Sequence, residues 1–142
     1  MSPPVHTHRS PRLLLVEDDP TERALLRELL EAEGMAVVGE AADGEEGVRL
    51  ALERRPDVVL MDLRLPGMGG FEATRAIRAS LPFTQVVILT AYEGPLPERS
   101  AAEVEAYAYL LKGSPAKLIH DVIVQAWLLK SGLEQRAASP PA

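Results

Sequence analysis

The chain contains no cysteine, so it can build neither a disulfide framework nor a thiolate metal site, and it suits a reducing compartment such as the cytoplasm. It also lacks an excess of basic residues: 15 Lys and Arg face 21 Asp and Glu, a formal net charge of −6. A surface adapted to nucleic acid needs clustered Lys and Arg to neutralise phosphates, so direct DNA binding by this chain is not expected. No stretch approaches the roughly 20 consecutive apolar residues of a membrane span. The N-terminal MSPPVHTHRS has no apolar core of the kind a secretory signal needs. These absences together lead us to expect a soluble, cytoplasmic protein that does not engage a membrane.

What is present is enough for one ordinary core, with 46% hydrophobic residues in 142. Both ends are rich in Pro, Ser and Ala, which reads as disordered tails over 1–11 and 133–142 around one domain at 12–132. His6 and His8, in the first tail, are given no role. Between the tails the apolar runs RLLLV, MAVVGE, DVVLMD, QVVILT and AYLL each precede a segment of helical character. That alternation predicts an α/β fold with a parallel sheet. Right-handed crossovers and short loops favour a doubly wound, five-stranded sheet in the flavodoxin-like order 2-1-3-4-5, with helices on both faces.

Local signals place the helices. Asp19 reads as an N-cap with Pro20 at the first helical position, Glu22 set for a capping box, and Gly34 as the stop. Leu25, Leu26, Leu29 and Leu30 form the stripe expected to be buried. Asp43-Gly44-Glu45-Glu46 opens a second helix, Gly70 to Ala79 a third, and Ser114-Pro115 a fifth whose inner side is Leu118, Ile119, Val122, Ile123 and Ala126. The fourth is placed near 97–106, in a segment carrying Pro95 and Pro97. Trp127, Leu128 and Leu129 read first as core packing, with a dimer contact as the other reading.

In such a sheet, sites form beyond the carboxyl ends of the strands. Glu17-Asp18-Asp19 follow strand one, Asp62 ends strand three, Thr90 ends strand four, and Lys112 follows strand five. Carboxylates gathered on one edge repel one another unless a cation or protons intervene, and hard oxygen ligands favour Mg²⁺. Mg²⁺ commonly shares its shell with a phosphate, so Asp62 is read as a nucleophile that accepts a phosphoryl group as an acyl phosphate. Lys112 would neutralise one phosphoryl oxygen and the Thr90 hydroxyl would donate to another. Asp19 reads as the helix cap rather than a ligand. Singly, each group also fits an ordinary solvated strand end; their joint placement carries the reading.

VEDDP, MDLRLPGMGG, ILTA and YLLKGSP, in this order, closely resemble the signature segments of response-regulator receiver domains of two-component signalling. The resemblance covers nearly the whole chain between the tails. It implies that Glu17 and Asp18 are the acidic pair binding Mg²⁺, Asp62 the phosphoacceptor, Thr90 the switch hydroxyl, Lys112 the lysine of the site and Tyr109 the aromatic switch. It also implies that the main-chain carbonyl of Arg64, two residues after the acceptor, ligates the metal. The implied donor is a sensor histidine kinase or phosphotransfer protein. The implied output is a population shift on the face of the fourth helix, fifth strand and fifth helix, towards an unknown downstream protein or a phosphorylation-dependent homodimer. Such a receiver is no enzyme beyond catalysing its own phosphoryl transfer and dephosphorylation.

YLLKGSP looks most like receivers of the class often joined to a helix-turn-helix DNA-binding domain; with ten residues after Gly132, no such domain is expected within this sequence. Three departures stand out. Gly113 follows Lys112 where many relatives have Pro, so a cis bond is not assumed. Glu105 stands where relatives usually have Gly. Arg64 and Tyr92 flank the site as a bulky pair that would shield an acyl phosphate from water. A haloacid-dehalogenase-like phosphatase would want a second acid at Arg64, and a nucleotide or flavin binder would want a Gly-rich loop in place of E-D-D-P. The alternative kept open is a phosphorylation-independent interaction module.

Overall fold

In the computed structural model, residues 10–91 and 95–138 are described, with side chains in the second stretch from Arg99 onward. His6, His8, Tyr92 and the last four residues lie outside them. Five strands, β1 (Arg12–Val16), β2 (Ala36–Ala41), β3 (Val58–Met61), β4 (Gln85–Thr90) and β5 (Ala108–Leu111), form one parallel sheet in the order β2-β1-β3-β4-β5. The helices are α1 (Pro20–Ala32), α2 (Gly44–Arg54), α3 (Gly70–Ser80), α4 (Pro95–Glu103) and α5 (Ala116–Ala138). This is the doubly wound topology expected from the sequence.

β3 is apolar at every position, and β1 and β4 are apolar except at their ends, Arg12, Gln85 and Thr90, because both faces of the sheet are covered. Alternate residues supply two cores. Leu14, Val16, Val59, Met61, Val86 and Ile88 pack with Leu50, Ile77 and Ala101 of α2, α3 and α4. Leu13, Leu15, Val58, Leu60, Val87 and Leu89 pack with Leu30, Ile119, Ile123 and Ala126 of α1 and α5. Trp127 packs partly buried against the second core, as expected, whereas Leu128 and Leu129 are exposed.

Several local expectations need correction. Leu25 is 62% and Leu118 44% exposed. Each lies five residues before a fully buried residue, Leu30 or Ile123, and five steps at 3.6 residues per turn put it about 140° round the helix. α4 begins at Pro95 and ends at Glu103, earlier than the 97–106 expected. α5 continues through Gly132 to Ala138, so 133–138 are helix rather than tail. The sequence LEQRAA consists of good helix formers, and Glu134 binds Lys130 one turn back at 3.1 Å. At the other end Pro11 is already buried and accepts the Ala36 N–H at 3.0 Å. Ser114 does not cap α5; its hydroxyl turns back to the Leu111 carbonyl at 2.6 Å. No cis peptide occurs among the described residues.

Candidate phosphoacceptor site

The carboxyl edge of the sheet receives its side chains from four loops. After β1 the chain turns sharply into α1, where the Asp19 carboxylate caps the helix by accepting the N–H groups of Thr21 and Glu22 at 2.8 and 3.2 Å. The expected reciprocal bond from Glu22 is not made. Glu17 Oε2 takes the Asp19 N–H instead, at 3.1 Å, and Glu22 points into the site. Arg23 fixes the turn, with Nη1 on the Glu17 carbonyl at 2.7 Å and Nε on Glu40 of β2 at 3.0 Å. Glu40 is also bonded by Arg27.

Asp62 follows β3, its N–H bonded to the Val16 carbonyl at 3.0 Å, and is only 6% exposed. Its Oδ1 accepts the Leu63 N–H at 2.7 Å, with the Arg64 N–H at 3.4 Å, so residue 64's peptide lies beside the carboxylate. The loop that follows is held close: a Cβ on Gly70 would stand 2.2 Å from the Asp62 carbonyl oxygen. Glu45, at the start of α2, accepts the Met68 N–H at 3.0 Å and steadies the same loop.

Thr90 closes β4 and is buried; its carbonyl accepts the Lys112 N–H at 2.7 Å, bringing the two residues side by side. Lys112 Nζ reaches Glu17 Oε1 at 2.6 Å, Glu22 Oε2 at 2.7 Å and Asp62 Oδ2 at 3.0 Å. Burial works against the ammonium, but the hydrogen bonds to Glu17, Glu22 and Asp62 outweigh it and hold its proton above the ordinary lysine value. Burial pushes Glu17 up to about 7, against the opposing pull of the Lys112 hydrogen bond and with help from the charge of Asp62. Three carboxylates share this one ammonium, with Asp18 nearby, so the cluster holds more acids than its single lysine offsets.

Glu17, Asp18 and Asp62 each offer a carboxylate oxygen, all within 4.8 Å of one another, with Asp18 exposed to solvent. Three hard oxygens so close, one open to water, fit a small divalent cation such as Mg²⁺. Beside them a cavity of about 190 Å³ is lined by Asp62, Arg64, Thr90, Ala91 and Lys112. Tyr109 lies half-buried on β5, opposite Ile88, and packs against the core under α4 rather than lining this cavity. A larger groove of about 280 Å³ runs from Lys112 between α1 and the start of α5, floored by Leu26, Leu29, Leu60 and Ile119.

Sequence reasoning thus placed Glu17, Asp18, Asp62, Thr90 and Lys112, and the structure brings them to one edge. It missed Glu22, Arg23 and Glu45. The signal for Glu22 was present, an acid in the first turn of α1, but the local capping motif accounted for it.

Such a sheet with such a site defines a class: residues 13–124 match the family model of the response regulator receiver domain, and the chain belongs to that family. Among curated proteins it is similar to the transcriptional regulatory protein LiaR of Bacillus subtilis (strain 168), 42% identical over 128 residues, covering 89% of this chain and 61% of LiaR. The response regulator GacA of Pseudomonas aeruginosa is 43% identical over 105 residues, 72% of this chain and 49% of GacA. The chain therefore spans about half to about three fifths of the length of these relatives. Among solved structures, a LuxR-family two-component response regulator from Aurantimonas sp. SI85-9A1 matches with a TM-score of 0.80 and 40% identity, over 84% of this chain and 86% of that one.

Proposed function

We propose that the chain is a phosphoacceptor: Asp62 takes a phosphoryl group from the phosphohistidine of a sensor kinase or phosphotransfer protein. The carrying observation is the 3.0 Å contact of Lys112 Nζ with Asp62 Oδ2 at the wall of a cavity also lined by Thr90. An Asp62 oxygen forms the new bond to phosphorus as the phosphorus–nitrogen bond breaks and its electron pair returns to the imidazole. Lys112 offsets charge on the transferred group and the Thr90 hydroxyl donates to it. Glu17, Asp18, Asp62 and the Arg64 carbonyl would hold Mg²⁺, which supplies charge neutralisation during transfer.

Downstream, Thr90 drawn towards the phosphoryl group frees space for Tyr109 to move inward, shifting the α4–β5–α5 face towards a protein target or a second copy. Activity is confined to the chain's own phosphoryl transfer and loss. Arg64, which lines the cavity, shields the acyl phosphate and lengthens its life. No helix among the described residues is long and apolar enough to cross a membrane, and a cytoplasmic location fits a kinase partner. The net acidity argues against DNA binding by this domain itself.

The test is intact-protein mass after incubation with Mg²⁺ and acetyl phosphate. One phosphoryl adduct, absent in Asp62→Asn and with chelator, is expected. No adduct in the native chain, and no trapping by beryllium fluoride, would leave a phosphorylation-independent interaction module.

A further inference from the structure

Lys112 is unusual in how its hydrogen bonds are spent. An ammonium has three N–H donors, and here they meet three carboxylates, Glu17, Glu22 and Asp62, at 2.6, 2.7 and 3.0 Å. Two of the three belong to the acid cluster at the sheet edge and are almost fully buried. Glu22 is different: it comes from the first turn of α1, its side chain is 49% exposed, and it stands outside the three-carboxylate group suited to a cation. It also stands apart from the cavity beside Asp62 and Thr90, which Lys112 does line.

We infer that Glu22 is a positioning residue that sets the anion affinity of Lys112: it holds the ammonium among the acids and competes with an incoming phosphoryl group for it. The inference rests on the phosphoacceptor reading and deepens it. A phosphoryl oxygen entering the cavity needs one of the three Lys112 N–H groups, so one carboxylate bond is surrendered. Glu22 is the partner best able to yield, because water can solvate its half-exposed carboxylate whereas Glu17 has no such recourse. Until it yields, its charge sits one bond beyond the lysine and opposes any anion placed on the other side. The same charge adds to the negative field that attracts a divalent cation, so removing it moves the two affinities in opposite directions. At this separation and exposure, each effect is about fivefold.

A plain helix-terminus role for Glu22 makes a different forecast. An acid in the first turn favours the helix dipole, and its neutralisation then costs a little stability while leaving both affinities where they were. Glu22→Gln preserves a hydrogen-bonding oxygen while removing the charge, and Glu53→Gln, on α2, controls for the change in net charge.

The experiment is calorimetric titration of the native chain, Glu22→Gln and Glu53→Gln, first with Mg²⁺ alone and then with beryllium fluoride at saturating Mg²⁺. Acetyl phosphate labelling is followed by mass in parallel. Expected for Glu22→Gln alone are beryllium fluoride binding and labelling about fivefold stronger and faster, with Mg²⁺ binding several-fold weaker. Both affinities unchanged, or both reduced, overturns the role of Glu22 while the native adduct stands. If the native chain takes neither beryllium fluoride nor phosphoryl, the phosphoacceptor reading falls and this inference falls with it.

Discussion

β3 has a buried aspartate bonded to a lysine at each end, and the two pairs look alike. Asp57, just before the strand, and Asp62, just after it, are each 6% exposed, and each lies 3.0 Å from a lysine Nζ, of Lys130 and Lys112 respectively. The surroundings differ. Asp57 is closed off: its Oδ2 accepts the Arg12 N–H at 2.8 Å, its own N–H bonds the Arg12 carbonyl, and Lys130 has one further acid, Glu134. The Arg12 guanidinium meanwhile caps the carbonyls of Arg54 and Arg55 at the end of α2. Asp62 shares its lysine with Glu17 and Glu22, has Asp18 nearby and opens on a cavity. One pair is a finished structural tie between strand and α5. The other is left short of positive charge, a deficit that a bound cation would offset.

Exchanging the consequences is the strongest test of this contrast. Asp57→Asn should cost about 3 kcal/mol, because it takes the buried charge partner from Lys130 and leaves it only the more exposed Glu134, and should leave acetyl phosphate labelling intact. Asp62→Asn should abolish labelling while leaving stability unchanged or raised, since it relieves repulsion in the cluster. Urea unfolding and intact mass on both variants check this. Equal destabilisation by the two would mean the cluster around Asp62 is not in surplus. Next in size, Mg²⁺ at a hundred times its dissociation constant should stabilise the protein by about 2.7 kcal/mol, read by thermal unfolding with and without chelator. Asp18→Asn should remove most of that gain, and Asp57→Asn none of it.

The loop after Asp62 sharpens the comparison further, because adjacent glycines there have opposite tolerances. A Cβ on Gly70 would lie 2.2 Å from the Asp62 carbonyl oxygen and 2.8 Å from Leu63 Cα, whereas one on Gly69 meets nothing within 4 Å. Gly70→Ala should cost about 2 kcal/mol by forcing the backbone apart and slow labelling by moving the acceptor. Gly69→Ala should change neither appreciably. Denaturant midpoints and labelling rates of the two variants, side by side, decide it.

How far the sequence carried this picture depends on what kind of information each feature needs. The sheet order was legible because right-handed crossovers and short loops favour it once strands and helices alternate, and the joint placement of Glu17, Asp62, Thr90 and Lys112 because it follows from which residue ends each apolar run. Leu25 and Leu118 were misplaced because the stripe was drawn too wide, each lying about 140° round its helix from a fully buried residue, and Leu25 faces a groove that α1 and α5 leave between them. Glu22 was assigned to its own helix because a capping motif is local, while its actual partner lies 90 residues away. Asp57 drew no attention, since nothing in the sequence announces that Lys130 will reach it from α5. The long reach of α5 past Gly132 was hidden by the Pro and Ser content of the last few residues.

The α4–β5 turn gives the smallest effect and tests a different kind of cost, one held in the backbone rather than in charge. Glu105 occupies the glycine-like position with φ of 61°. The turn is a Schellman motif, in which the Ala106 N–H bonds the Ala101 carbonyl at 3.0 Å and the Glu105 N–H bonds the Ala102 carbonyl at 3.0 Å. A residue with a Cβ pays roughly 1–2 kcal/mol there, part of which glycine would return as lost entropy on folding. Glu105→Gly should therefore stabilise the domain by about 0.5–1 kcal/mol, a rise in Tm of about 3 °C. Glu105→Ala, which removes the charge but keeps the Cβ, should give no such gain. If both substitutions stabilise equally, the burden at this turn lies in the Glu105 charge, and it resembles the Asp62 cluster; if only glycine does, strain here and charge there are separate costs in one fold.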